Sequence, residues 1–197
     1  MGTLVVVENV SLDGVMQAPA SPDEDTRGGF RLGGWAVAPL AADPEAAMAA
    51  FGGGSGSADG AMLFGRRTYS DVVGHWLGVT EENPFTPVLR DTRKYVVTRD
   101  PDLELPYPNS ERLAGDLGAT VRRAVDAIEG EVTVLGSGDV VRQLAALGLV
   151  DRYVLTVIPV VLGGGRRLFG DTPAELQVVR TSVSPTGIVT GVYDVVR

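Results

Sequence analysis

The run from Val132 to Gly165, VTVLGSGDVVRQLAALGLVDRYVLTVIPVVLGGG, constrains this chain more than any other stretch. It reads as a β-strand (Val132 to Leu135), a turn carrying Gly136 and Gly138, a helix (about Asp139 to Leu147), a second strand (Tyr153 to Ile158) and a second glycine turn at Gly163, Gly164 and Gly165. A strand that stops at glycines and opens directly into a helix leaves the first helical N–H groups unpaired and pointing one way. That arrangement suits a phosphate or another anion.

The same alternation recurs along the chain. Thr3 to Val10, TLVVVENV, is an apolar, β-branched run that fits a buried central strand. Glu8 and Asn9 interrupt it, marking either a strand leaving the core or a polar site at the sheet edge. Ser11-Leu12-Asp13-Gly14 is a turn signal. The segment from Gln17 to Gly34 is long and rich in prolines, acids and glycines, and is read as a flap over a site. Asp43, Pro44 and Glu45 start a short helix that runs through Ala46, Ala47, Met48 and Phe51, followed by a Gly/Ser-rich connection to Gly60.

Ala61 to Phe64 is a short buried strand, and Gly65-Arg66-Arg67-Thr68-Tyr69 turns it into a helix with Tyr69, Val72 and Val73 on one face. Residues Gly74 to Asp91 read as loop. Arg93 to Arg99 is a third strand, and prolines keep the chain irregular until Asp116 caps a helix striped with Leu117, Val121, Ala124 and Ile128. Leu176 to Ser184 and Ile188 to Arg197 alternate apolar and polar residues, as an antiparallel edge pair does. The expected architecture is α/β: one domain over residues 1–197, with a mixed, mainly parallel sheet, flanking helices and a C-terminal antiparallel hairpin.

Composition narrows the function. The net charge of −8 argues against a nucleic-acid surface. With no cysteine and a single histidine, thiolate ligands, a cysteine nucleophile and a histidine-rich metal site are excluded. No apolar run reaches the roughly 18 residues of a membrane span, so a cytoplasmic protein is expected.

Three strand ends carry groups that favour anions: Gly65 to Thr68, Thr98-Arg99, and Gly136 to Asp139. In a mostly parallel sheet such ends lie along one edge, and one ligand with several phosphates would account for all three. No GxxxxGK[ST] is present, which argues against a P-loop nucleotidase. Arginine suits the task because its fork of donors matches phosphate oxygens and it keeps its charge. Arg99, just past a strand end, is placed to tell a 2′-phosphate from a hydroxyl. Arg66, Arg67 and Arg99 could equally be surface charges.

Taken together, Ser11-Leu12-Asp13-Gly14, Gly65 to Tyr69, Thr98-Arg99, Gly136-Ser137-Gly138, and above all Leu149-Val150-Asp151 through Pro159, Leu162 to Gly165 and Leu168-Phe169 resemble the dihydrofolate-reductase-like superfamily. The nearest resemblance is to the reductase domain of the bacterial bifunctional riboflavin-pathway deaminase-reductase and its stand-alone relatives. The resemblance implies that fold, with NADPH as cofactor along the sheet edge. Arg66 and Thr68, with Gly65, match the turn at the cofactor phosphates; Thr98 and Arg99 match the 2′-phosphate region; Gly136, Ser137, Gly138 and Asp139 match the pyrophosphate loop. Ser11 to Gln17, with Met16, matches the mobile loop beside the nicotinamide.

With no cysteine and no room for that domain within these residues, the zinc deaminase half of the bifunctional protein is not expected here. Asp43, following Trp35, loosely matches the acidic residue of dihydrofolate reductases, and Arg27 and Arg31 are the basic residues on offer for a substrate phosphate. The expected reaction is hydride transfer from NADPH to a C=N or C=O of a pteridine-like or aminopyrimidine-like small molecule. Trp35 would line the substrate pocket or serve as a packing anchor. Asp43 would deliver a proton if burial raised its pKa, or would cap its helix. A homodimer paired through the C-terminal strands is expected. The rival reading is a non-catalytic nucleotide-binding or dimerisation module on the same fold.

Overall fold

A computed structural model describes residues 2–49, 60–78 and 85–197. Eight strands hydrogen-bond into one mixed sheet in the order β4-β3-β2-β5-β1-β6-β8-β7. They are β1 (Thr3–Ser11), β2 (Ala61–Gly65), β3 (Arg93–Thr98), β4 (Ser110–Ala114), β5 (Glu131–Val134), β6 (Arg152–Ile158), β7 (Leu176–Val183) and β8 (Val189–Val195). The helices are α1 (Val37–Ala42), α2 (Pro44–Ala49), α3 (Arg66–Thr68), α4 (Gly74–Gly78), α5 (Phe85–Asp91), α6 (Leu117–Asp126) and α7 (Gly138–Ala146). The chain divides into two compact units whose boundary falls inside β1.

The first unit holds β2 to β5 and the start of β1. β2 runs parallel to both β3 and β5, and β3 runs parallel to β4. All five residues of β2 are buried, which is why AMLFG reads as a continuous apolar run rather than an alternating one. Met62, Phe64, Tyr69, Val73, Leu89 and Val96 form its core cluster. Asp116 caps α6 by accepting the Ala119 N–H at 2.8 Å, and the expected stripe buries Val121, Ala124 and Ile128.

Two expectations are corrected here. Residues Gly74 to Asp91 are not loop throughout: α4 and α5 lie within them. Trp76, Leu77, Phe85 and Val88 pack on the core cluster, and that burial organises turns too short to be stable alone. Pro87 sits early in α5, where its missing N–H has no helical acceptor to lose. The stretch before Asp116 is not irregular throughout, since it contains β4. SERLA carries exposed charges and buries only Leu113, as a sheet-edge strand does. A third element, α1, follows Trp35 unannounced by the residue pattern.

The second unit holds the rest of β1, the loop after it, α1, α2 and β6 to β8. β8 lies between β6 and β7 and is antiparallel to both. The hairpin turns through Gly187, whose φ of 83° only glycine adopts readily. Its small cluster of Val15, Ala18 and Phe30 is flanked by Trp35 and Leu162. The expected continuation of α2 to Phe51 and the Gly/Ser-rich segment to residue 59 lie outside the described residues.

Candidate functional site

In the first unit the parallel registers bring the C-terminal ends of β3, β2 and β5 side by side. Gly65, Thr98 and the Gly136 turn therefore share one edge. Gly65 N–H donates to Gly136 O at 3.0 Å, and Leu135 N–H donates to Leu63 O at 3.2 Å, so the turn after β5 is tied to β2. The Gly136–Ser137 peptide is cis, and Gly136 has a φ of 96°. Ser137 sits at the N-cap of α7 in an extended conformation with no side-chain cap bond. The amino end of this nine-residue helix thus faces the turn with its positive dipole end.

The charged groups around this edge are exposed. Arg66 and Arg67 open α3, Thr68 is half-buried, and Arg99 follows Thr98 at the surface. The Thr98 hydroxyl accepts from Asp100 N–H at 3.0 Å, fixing the turn after β3. Asp139 forms an ion pair with Arg142 one turn on. Hence the edge offers a glycine turn, a helix amino end and arginines, groups that suit phosphate or another anion.

In the second unit Met16 is half-buried, and its N–H donates to Arg166 O at 2.9 Å. Trp35 is a packing anchor: it lies on the Val15, Ala18 and Phe30 cluster, and its indole N–H donates to Gln17 O at 2.8 Å. Asp43 is buried and caps α2, accepting Ala46 N–H at 3.0 Å and the Thr186 hydroxyl at 2.6 Å. Those bonds, Thr186 first, hold its carboxyl below the usual range. A proton donor needs the opposite shift, so the reading of Asp43 as helix cap describes what is observed. His75 is exposed and stacks edge-on against Trp76.

Arg166 and several contacts of this unit escaped the sequence reading. Asp13 accepts from the Ser11 hydroxyl at 2.7 Å and from the N–H groups of Leu162 and Gly163 at 3.1 and 3.0 Å. The Leu162 N–H bond is the largest cause of its pKa falling to about 2. Buried Gln17 donates to Asp25 O and Arg27 O and accepts from Arg166 N–H, tying the loop after β1 to the second glycine turn. A cavity of about 460 Å³ opens between these segments, lined by Gln17, Arg27, Phe30, Arg31, Gly165 and Arg166 among others. Arg27 forms an ion pair with Asp25. Arg166 joins the two arginines named from sequence, although it lies more than 130 residues away along the chain.

Glu8, singled out as an interruption in an apolar strand, has its Oε1 sealed from solvent with no hydrogen-bond partner. Burial, reinforced by Glu24, pushes its carboxyl up to about 8.

Comparison with known proteins follows the same lines. Residues 3–190 match the profile of the family described as RibD C-terminal domain. The chain is 27% identical over 141 residues to the uncharacterized protein YyaP of Bacillus subtilis (strain 168), covering 67% of this chain and 72% of that one. Among solved structures, it resembles a Shewanella sp. PV-4 protein described as a riboflavin biosynthesis protein, with a TM-score of 0.64, 17% identity and full coverage of both chains. A pyrimidine reductase-like protein from Corynebacterium diphtheriae NCTC gives a TM-score of 0.60 at 15% identity, covering 100% of this chain and 92% of that one. Dihydrofolate reductase from Enterococcus faecalis, complexed with NADP(H), gives 0.59 at 16%, covering 100% and 98%. The fold is thus dihydrofolate-reductase-like. No helix among the described residues is long and apolar enough to cross a membrane.

Proposed function

The chain belongs to the RibD C-terminal domain family, and from that premise we propose that it is an NADPH-dependent reductase acting on a pteridine-like or aminopyrimidine-like small molecule. The observation that carries this reading is the alignment of three parallel strand ends, Gly65 to Thr68, Thr98-Arg99 and Gly136 to Asp139, along one edge of the first unit. One phosphate loop alone would serve many ligands. Three adjoining ones suit an extended dinucleotide.

NADPH, when bound, would supply a hydride. The chain's own part is binding and orientation. The amino end of α7 and the glycine turn before it would receive the pyrophosphate, Arg66 and Thr68 would hold it from the neighbouring strand end, and Arg99 would meet the 2′-phosphate. A side chain at position 65 would fill the turn, since a Cβ there would lie 2.8 Å from Ser137 Oγ. The glycine keeps that cradle open for phosphate oxygens.

In the second unit Arg27, Arg31 and Arg166 would attract an anionic group of the substrate into the cavity they line. Asp43, held ionised by its hydrogen bonds, would keep α2 in place rather than deliver a proton. Pairing of the exposed edge strand β7 with a second copy would give the homodimer expected from sequence.

The test is a fluorescence titration with NADPH and with NADH. Binding of NADPH at micromolar concentration, several-fold tighter than NADH, supports the reading. Absence of binding by either nucleotide overturns it, and NADPH binding without oxidation by any pterin, folate or aminopyrimidine would favour a non-catalytic nucleotide-binding module.

A further inference from the structure

A buried glutamine needs partners for two N–H hydrogens and an oxygen, and Gln17, only 4% exposed, finds them on the two segments that line the cavity of the second unit. Its Nε2 donates to Asp25 O at 3.0 Å and Arg27 O at 2.9 Å, and its Oε1 accepts Arg166 N–H at 2.9 Å. Two carbonyls face the nitrogen and one N–H faces the oxygen, so the amide fits in one orientation only. Met16 N–H donates to Arg166 O at 2.9 Å, and consecutive residues thus grip the Arg166 main chain from both sides. The Trp35 indole N–H, bonded to Gln17 O, fixes the glutamine's own backbone. At Gly165 the turn comes so close to its surroundings that an added Cβ would stand 2.8 Å from both Phe30 Cε2 and Val15 Cγ1.

The segments joined in this way carry the arginines. Arg27, Arg31 and Arg166 are exposed at one cavity, and like charges gathered there repel one another. Asp25 offsets part of that repulsion: its Oδ1 accepts Arg27 Nε–H at 2.6 Å and Arg27 N–H at 3.1 Å. The charges of both Arg27 and Arg166 act on Asp25, whose carboxyl is held below its usual range, by the Arg27 hydrogen bond first. An ion pair this near the surface is a weak constraint, so the main chain has to set where the arginines stand. A site that is assembled for only a tenth of the time binds its ligand about tenfold more weakly.

We propose that Gln17 is the positioning residue of an anion site in this cavity: one buried amide, tying the Arg27 carbonyl to the Arg166 N–H, keeps the two arginines gathered for a shared oxyanion. Gln17 itself touches no ligand, because its amide hydrogens are engaged by the two carbonyls. That the cavity takes an anion rests on the substrate reading above; the role of Gln17 rests on its three hydrogen bonds.

The test uses the full chain without nucleotide and sodium sulfate as the probe, so a failure to bind NADPH counts against the reductase reading alone. Arginine Nε–Hε NMR signals report the site residue by residue, which keeps sulfate held at the edge of the first unit out of the measurement. In the parent, sulfate should move the Arg27 and Arg166 signals with one dissociation constant. Gln17→Met should weaken sulfate by roughly tenfold and expose the Arg166 amide to hydrogen exchange. Gln17→Glu keeps an acceptor for Arg166 N–H but turns an oxygen toward the two carbonyls. It should leave the Arg166 amide protected, shift the Arg27 signal and still weaken sulfate. Asp13→Asn loosens the same glycine turn at Leu162 and Gly163 without touching an arginine; it should lower the thermal midpoint and leave sulfate affinity at the parent's value. Arginine signals that ignore sulfate or titrate separately, sulfate affinity unchanged in both Gln17 variants, or an equal loss in Asp13→Asn would each overturn the proposal.

Discussion

Gly65 and Ser137 are pressed together at the edge of the first unit: an added Cβ on Gly65 would stand 2.8 Å from Ser137 Oγ and 3.2 Å from Val140 Cγ2. Backbone hydrogen bonding between Gly65 and Gly136 holds this approach in place. The strand end and the helix start therefore form one closely packed cradle.

Replacing Gly65 with alanine should destabilise the protein by about 1–3 kcal/mol, the usual cost of overpacking a tight site. NADPH binding should weaken with it. Combining Gly65→Ala with Ser137→Gly, which removes the struck oxygen, should recover part of the loss in urea denaturation; an additive double variant would show that the contact is not the cause.

Arg99→Ala should weaken NADPH by roughly 10- to 100-fold, the scale of about 1.5–3 kcal/mol expected for charge-assisted hydrogen bonds to phosphate. NADH, without the 2′-phosphate, should lose little. Equal losses for the two nucleotides would remove Arg99 from that role.

Lys94 is wholly buried, and its ammonium donates to Leu89 O at 2.6 Å, Thr92 O at 2.7 Å and Arg90 O at 3.4 Å. It closes the carboxyl end of α5 against β3. Burial pulls its pKa down to about 8, so it remains charged at neutral pH. Lys94→Met should cost about 1–3 kcal/mol by leaving buried carbonyls unpaired, measured by chemical denaturation.

Stability should fall as pH rises from about 4.5 to 8 through Glu8. Its carboxyl has a folded pKa of about 8 against 4.5 when unfolded, so folding takes up a proton in that window. The contribution is full below 4.5 and gone above 8. Asp13 works the other way: with a folded pKa of about 2, its contribution is present above 3.8 and lost as pH falls through 2. Glu8→Gln should flatten the thermal midpoint between pH 5 and 8 while leaving the acid limb intact.

Exposed Val178, Val179 and Val183 lie on edge strand β7. Sedimentation should find a dimer in the parent and a monomer in Val178→Asp and Val183→Asp, with unchanged circular dichroism. A monomeric parent protein would overturn the homodimer reading.

Much of the fold was legible before any coordinates. TLVVVENV, AMLF and VTVL announced buried strands because parallel strands covered on both faces need apolar residues at every position. Asp116 and Asp43 announced their helices because capping involves residues only three apart. The convergence of Gly65, Thr98 and Gly136 followed from parallel order alone. Helices α4 and α5 and strand β4 did not announce themselves. Prolines and charges give them weak local preferences, and packing on Phe64 and Tyr69 or pairing with β3 overrides those preferences.

The candidate site divides in the same way. The sequence by itself determined which residue types stand at each strand end, because periodicity, caps and glycine turns are written in neighbours a few residues apart. Only the tertiary structure decided that Asp43 is a bonded cap and Trp35 a packing anchor, that Asp13 clamps the turn at Leu162 and Gly163, that Arg166 joins Arg27 and Arg31, and that Glu8 Oε1 is sealed without a partner. The reason is physical: protonation and hydrogen bonding depend on burial and on groups brought close by folding, and most of those groups lie far apart along the chain.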